Sequence, residues 1–144
     1  MNEKCKKTTE QLLVQIKENC NIEHYIQLEE GEFINDSLVD RLRILLEKYG
    51  VEKAEVIRRS GQSQGYMYQV FAGQRQPSRD KLLALIFGFE LPLSEAQKLL
   101  RTSGFRELYP RDRRDAMIIH ALEHKNTVSD LNLLLHKNGW KLID

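Results

Sequence analysis

Two short helical patterns that meet at a glycine restrict the fold of this chain more than any other feature. They occupy residues 54–79, AEVIRRSGQSQGYMYQVFAGQRQPSR. Apolar residues recur at helical spacing on both sides of Gly61, and glycine enters a left-handed turn without strain. The segment therefore predicts two short helices joined by a tight turn, followed by a break from Gly73 to Pro77.

The remainder of the chain also has helical patterning, and no alternation of apolar and polar residues typical of a strand persists. Thr8 or Thr9 can cap a first helix that runs to about Asn19. Residues 20–35 are interpreted as a linker that could hold one short turn or helix before Gly31. We expect an all-α chain of seven or eight helices. The other predicted helices begin at Ser37 and end at Gly50, span residues 53–60, 63–72 and 78–88, run from Ser94 to Ser103, span 113–125, and start at Thr127 with Asp130 as its capping partner.

Length and composition allow a core without metals or disulfides, since the chain has 144 residues. Cys5 and Cys20 lack the spacing of metal ligands, and we expect free thiols in a reducing compartment. No segment approaches the roughly 20 apolar residues of a membrane span, and the charged opening has no signal-peptide pattern. We expect a soluble, cytoplasmic protein.

Overall charge does not favour a nucleic-acid binder, because 22 Lys and Arg residues face 21 Asp and Glu residues. The distribution is uneven. Residues 1–34 have four basic against seven acidic residues, whereas residues 35–91 and 92–144 each have nine against seven. The acidic balance is confined to the N-terminal arm, and the rest of the chain permits DNA binding without arguing for it.

The second helix of the central pair has a polar, uncharged outer face. Met67, Val70 and Phe71 are expected in the core, which leaves Gln64, Gly65, Tyr66, Tyr68 and Gln69 on the outer side. A glutamine amide can pair with adenine through two hydrogen bonds, and a tyrosine can touch a thymine methyl group or a phosphate. We therefore assign base contacts to Gln64, Tyr66 and Gln69, with partly buried packing as the alternative for both tyrosines.

Phosphate contacts are assigned to residues around the same helix. Ser63 or Gln62 can cap its start, and Arg75 and Arg79 follow its end close to the N-terminus of the next helix. The assigned phosphate contacts are Lys53, Ser63, Arg75 and Arg79. Arg58 and Arg59 either touch phosphate or form an ordinary solvated helix face.

Residues 36–91 resemble the lambda-repressor/Cro-like (XRE) helix-turn-helix family. The resemblance rests on Gly61 at the turn, the Ser63-Gln64 start of the second helix, and Gly73, Arg75, Pro77 and Ser78 at its exit; LLALIFGFEL is similar to the family's fourth helix. The chain departs from the family pattern at Lys53, Ile57 and Gly65. The resemblance implies a five-helix DNA-binding unit that inserts the helix at 63–72 into the major groove, in a bacterial transcription regulator that binds as a homodimer.

The expected organisation has three parts: an N-terminal helical arm at residues 1–34, the helix-turn-helix domain at 35–91 and a C-terminal helical extension at 92–144. The extension has too many apolar residues for a solvated tail, so it either packs on the central domain or forms a subunit interface. The arm either packs across the extension or contacts a partner protein.

No pattern points to catalysis, and we expect neither an enzyme nor a bound cofactor or metal. His120 and His124 have a spacing that could share a metal, but surface histidines are the preferred interpretation. The run RELYPRDRRD could touch a phosphate or an acidic partner, while its own acids, including Asp112 and Asp115, allow a self-paired surface. The leading hypothesis is a DNA-binding regulator, and the second is a protein-interaction module on a helix-turn-helix scaffold.

Overall fold

The computed structural model describes residues 7–28 and 37–144, and the chain divides into two compact units, Met1–Asn35 and Asp36–Asp144. The all-α prediction is confirmed, since every regular element in the described part of the chain is a helix. The helices are α1 (Thr9–Glu18), α2 (Ile22–Leu28), α3 (Leu38–Tyr49), α4 (Lys53–Ser60), α5 (Gln64–Phe71), α6 (Arg79–Phe89), α7 (Leu93–Thr102), α8 (Arg113–Glu123) and α9 (Val128–Lys137).

The first unit contains α1 and α2. Thr8 and Gln11 form a capping box, in which each side chain accepts a hydrogen bond from the backbone N–H of the other residue. Among the described residues of this unit, α1 has no buried side chain, whereas Tyr25 of α2 is buried. The predicted linker at residues 20–35 thus contains a helix, Ile22–Leu28, and its remainder from residue 29 lies outside the described residues.

The second unit is organised around α6. Every residue from Leu82 to Phe89 is buried, because α6 packs against α3, α4, α7 and α9. An α-helix that is apolar all round is stable only when other elements surround it. The long apolar run after Ser78 therefore forms the central, buried helix of this unit rather than an amphipathic helix on its surface.

The C-terminal helices contribute directly to this core. Leu100 of α7, Ile118 of α8 and Leu131 of α9 are buried in the same hydrophobic cluster as Leu42 of α3. The last residues fold back on α9, where the side-chain amide of Asn132 makes two hydrogen bonds of 2.8 Å with the backbone of Ile143. Of the two roles open to the extension, packing on the central helices is therefore present in the structure.

Most predicted helix starts are confirmed. Ser37, Ser78 and Thr127 each cap a helix by accepting a hydrogen bond from a backbone N–H three residues later. One start differs: Ser94 with Gln97 predicts a capping box, but α7 begins at Leu93 after Pro92, whose ring has no hydrogen-bonding group to cap the helix. Gln97 instead makes two hydrogen bonds to the backbone of Leu108.

Candidate nucleic-acid interface

The turn between α4 and α5 is fixed by small residues. Gly61 adopts a left-handed conformation with φ of 69°, where side chains are strained. Before it, the buried Ser60 hydroxyl donates to the carbonyl of Ile57 at 2.6 Å and accepts from the Gln62 N–H at 3.3 Å. Ser63 then caps α5 by accepting a hydrogen bond from the Tyr66 N–H. Of the two candidate caps, Ser63 is thus the one that the structure uses.

The two sides of α5 differ as the sequence predicts. Met67, Val70 and Phe71 are buried and attach the helix to the core. Gln64 and Gly65 are exposed at its N-terminal end, and no atom lies within 4 Å of the position that a Gly65 Cβ would take. At the N-terminal end of α5, the exposed amide side chain of Gln64 therefore lies next to the bare backbone of Gly65.

A chain of polar contacts connects α5 with the loop after it. Arg75 donates from Nε to Oε1 of Gln69 at 2.5 Å, and its guanidinium carbon lies 5.6 Å from the centre of the Tyr66 ring. Lys81 approaches the same ring to 5.2 Å and donates from Nζ to Oε1 of Gln62 at 2.6 Å. We call these five residues the Tyr66 cluster. Two cations near one aromatic ring fit a cation–π arrangement.

The Tyr66 cluster changes how the predicted base-contacting residues are understood. Tyr66 and Gln69 are half-buried, whereas Gln64 and Tyr68 are exposed. Tyr66 therefore packs partly against the core, as its alternative interpretation expects, and its ring lies near two cations; its contact with a base stays a prediction. Gln69 already has its amide oxygen hydrogen-bonded to Arg75, so its amide is held in one orientation.

Lys81 is a member of this cluster that sequence reasoning missed. It lies in the first turn of α6, three residues after the cap Ser78. Its position on the helix was predictable, but the neighbour that it faces depends on how α6 packs beside α5. A lysine in the first turn after the exit loop was the available signal.

The remaining predicted phosphate contacts occupy different environments. Lys53 is exposed at the start of α4, with Nζ 5.5 Å from the centre of the Phe71 ring. Ser63 is exposed at the start of α5, where its hydroxyl is used as the cap. Both lie at N-terminal ends of helices, where unpaired backbone N–H groups favour an anion. Glu52, exposed next to Lys53, opposes an anion there.

In the structure Arg79 forms a partly buried ion pair rather than standing free on the surface. Its guanidinium donates to both oxygens of Asp115, at 3.3 and 3.2 Å, and to the carbonyls of Arg106 and Glu107. The Arg79 side chain is 18% exposed and that of Asp115 is 2% exposed. A buried carboxylate needs such a partner, because an unpaired charge in the core is very unfavourable. The predicted phosphate contact at Arg79 therefore corresponds to a structural ion pair.

The next residue makes a second pair with the charges exchanged. Asp80 accepts two hydrogen bonds from the guanidinium of Arg114, at 3.1 and 3.0 Å. The dipeptide Arg79-Asp80 at the start of α6 is thus matched by Arg114-Asp115 at the start of α8. We call these four residues the paired dipeptides. The end of the run RELYPRDRRD is thus paired with α6 rather than with itself, and pairing within the run is limited to Arg106, whose guanidinium lies 3.9 Å from Asp112 and 3.6 Å from Asp115.

Two arginines of α4 share one carboxylate of the same helix. Glu55 bonds to the Arg58 guanidinium and accepts from Arg59 Nε at 3.1 Å. The hydrogen bond from Arg58 holds the pKa of the Glu55 carboxyl below its usual value, so Glu55 stays ionised at neutral pH. This arrangement fits the solvated-face interpretation of Arg58 and Arg59.

His120 and His124 stack with ring centres 4.0 Å apart, and Nδ1 of His124 lies 2.8 Å from the carbonyl oxygen of His120. Within the described residues there is no group of three or more His, Cys, Asp or Glu side chains that could hold a metal.

No helix within residues 7–28 and 37–144 combines the length and the apolar character needed to cross a membrane. Comparisons with known protein families, curated proteins and solved structures found no match to this chain.

Proposed function

We propose that the chain is a sequence-specific DNA-binding transcription regulator that places α5 in the major groove. The observation that carries this proposal is the surface of α5. Its inner side is anchored by Met67, Val70 and Phe71, while its outer side presents the uncharged hydrogen-bonding groups of Gln64 and Tyr68. Rigid helices with uncharged polar faces suit the reading of base edges.

The arrangement of short helices supports the same proposal. α4 and α5 are joined at Gly61, and α3 and α6 pack around them. This order fits the lambda-repressor-like unit that the resemblance over residues 36–91 implies. In such a unit one recognition helix contacts only a few base pairs, so a dimer on two half-sites about 34 Å apart is the expected binding form.

The proposed contacts are revised from those assigned to the sequence. Gln64 keeps its role as a base contact, and Gln69 acts together with Arg75 because their side chains are bonded. Lys53, Ser63, Arg75 and Lys81 are the proposed phosphate contacts. Arg79 is left out because Asp115 occupies its guanidinium.

Selection from a random duplex library at a stated salt concentration tests the proposal directly. We expect recovery of a palindrome with half-sites one helical turn apart. Failure to enrich any duplex over several salt concentrations would contradict DNA reading by α5.

Variants of exposed glutamines then locate the reading surface. Gln64→Ala should relax preference at one base pair, at a cost of about 1–3 kcal/mol. Gln76→Ala is the matched control, since Gln76 is also exposed but lies in the loop after α5. Equal losses from the two variants would argue against a base contact by Gln64.

A double-mutant cycle on Gln69 and Arg75 tests the Tyr66 cluster. Because the two side chains are bonded, the effects of Gln69→Ala and Arg75→Ala on DNA affinity should be non-additive by about 0.5–3 kcal/mol. Arg101→Ala, which removes an exposed arginine of α7, serves as the charge control. Strict additivity would show that the two residues contact DNA independently.

The charges of α4 favour a second candidate, a protein-interaction module on the same scaffold. Glu55 pairs with both Arg58 and Arg59, Glu90 lies 3.9 Å from Arg59, and Glu52 is next to Lys53. Three acidic residues thus accompany three basic ones, and this flank of α5 is not strongly positive. Leu133 of α9 and Tyr109 before α8 are exposed apolar side chains that a protein partner could cover. In this case the duplex selection would fail while the chain bound a protein.

A further inference from the structure

The first unit exposes more apolar side chains than its size explains. Five of the ten large hydrophobic side chains recorded as exposed in the described part of the chain lie between residues 7 and 28. They are Leu13, Val14, Ile16, Ile22 and Ile26. Single exposed hydrophobics are normal, but such a concentration marks an interaction surface.

Most of the apolar residues of α1 share one side of the helix. Leu12, Leu13 and Ile16 are spaced by one, three and four residues, which places them on one face of a helix. Val14 points away from that face. A helix of only ten residues is marginal by itself in water, and α1 packs on α2, with Leu12 half-buried. Leu13 and Ile16 stay exposed, so this part of the face is open to a further partner.

Two charged residues beside this face, one acidic and one basic, can pair with their counterparts on a second copy of α1. Glu10 and Lys17 are seven residues apart, so they lie on the same edge of α1, on either side of Leu13. No ion pair forms at either residue within residues 7–28 and 37–144. If a second copy of α1 packs antiparallel, with the two-fold axis near Leu13, each Glu10 meets the Lys17 of the other copy. The contact occurs twice, as an isologous interface requires.

We infer that the occupant of this face is a second copy of the chain, and that α1 forms the two-fold centre of a homodimer. Ile22 and Ile26 of α2 extend the apolar surface beyond α1. The inference deepens the proposed function. It rests on that proposal in one respect: binding to two half-sites needs a two-fold dimer. The first unit thus supplies the dimer contact, and the second unit contains α5.

Sedimentation of the full chain without DNA, over a range of concentrations, is the first test. The wild type is expected to be a dimer, and Leu13→Asp should weaken dimerisation by at least about tenfold because it places a charge at the apolar centre. Val14→Asp is the matched control. Leu13 and Val14 are each 50% exposed, but only Leu13 lies on the shared face, so Val14→Asp should remain a dimer.

Mixing two charge variants is the second test, and it does not depend on the effect of Leu13→Asp on folding. Glu10→Lys and Lys17→Glu should each weaken self-association by about three- to tenfold, because every pair becomes repulsive. An equimolar mixture should recover the wild-type dimerisation, since both contacts of the mixed dimer then join a lysine of one variant to a glutamate of the other. Only pairing between two copies predicts this recovery.

Three results would overturn the inference: a monomeric wild type at all concentrations, equal weakening by Leu13→Asp and Val14→Asp, or no recovery in the mixture. A monomer whose α1 loses helicity in Leu13→Asp would show instead that another part of the same chain covers the face. Because the measurement contains no DNA, its failure leaves the duplex selection unaffected. Conversely, a dimer that enriches no duplex would contradict only the DNA-binding proposal.

Discussion

Gly88 and Gly65 show how differently two helical glycines can be used. A Cβ added at Gly88 of α6 would lie 3.1 Å from Cγ1 of Val56 and closer still to the Val56 carbonyl oxygen. A Cβ added at Gly65 of α5 meets no atom within 4 Å. Gly88 therefore permits the close crossing of α6 and α4, whereas Gly65 leaves space on the outer side of α5.

Alanine substitutions at these positions should change stability in opposite directions. Gly88→Ala forces the backbones of α4 and α6 apart and should lower the free energy of unfolding by about 1–3 kcal/mol. Gly65→Ala should raise it by up to about 1 kcal/mol, because alanine is the better helix former. Urea unfolding of the two variants measures both effects, and a stable Gly88→Ala variant would show that the helices can separate at no cost.

At the scale of helices, capping residues made the boundaries predictable. Ser37, Ser78 and Thr127 each precede a helix in sequence and act as caps in the structure, because capping depends on residues only three positions apart. Gln97 shows where this local logic fails. Its backbone partner, Leu108, lies eleven positions away in the chain, and no local pattern indicates that contact.

The difference between local and distant contacts also explains which residues of the candidate site could be predicted from the sequence. Gln64 and the inner side of α5 follow from helical periodicity, which is local. The roles of Arg79 and Lys81 depend on tertiary packing of α6 against α8 and α5, which the sequence does not encode at short range. Arg79 has the spacing of a phosphate contact, and only the position of Asp115 shows that its guanidinium is held in a partly buried ion pair.

Two arginines of equal charge should therefore differ in their importance for stability. Arg79→Ala leaves Asp115 buried without its main partner and should lower the free energy of unfolding by about 3–5 kcal/mol. Arg101→Ala breaks an ion pair whose side chains are 63% and 45% exposed, and should cost about 0–1 kcal/mol.

Denaturant unfolding separates these cases. The double variant Arg79→Met with Asp115→Leu should be more stable than Arg79→Ala, because it removes the buried carboxylate together with its partner. Similar stabilities for Arg79→Ala and Arg101→Ala would mean that water reaches Asp115 and replaces the arginine.

For the whole molecule, the placement of α6 determines how far the folded core extends. Its apolar surface is covered by α3 and α4 before it in the chain and by α7 and α9 after it. Although residues 35–91 have the pattern of a complete domain, their central helix depends on residues that follow. The hydrophobic cluster around α6 lies wholly within the unit Asp36–Asp144.

Shortening the chain from either end should give contrasting results. Removal of residues 92–144 exposes the surfaces of α6 that α7 and α9 cover, and the remaining chain should lose its cooperative thermal transition and aggregate. Removal of residues 1–36 should leave a cooperative transition, because the buried cluster remains complete. Circular dichroism during heating tests both, and cooperative unfolding of the chain that lacks residues 92–144 would contradict the role assigned to the C-terminal helices.

The paired dipeptides also join two distant parts of the second unit mechanically. Arg79 and Asp80 begin α6 immediately after the loop that holds Arg75, and both are gripped from α8 by Arg114 and Asp115. Each link consists of two charge-assisted hydrogen bonds, so the start of α6 is fastened to the start of α8. A molecule that moved α8 would therefore have to break these four hydrogen bonds or carry the start of α6, which follows the Arg75 loop, along with it.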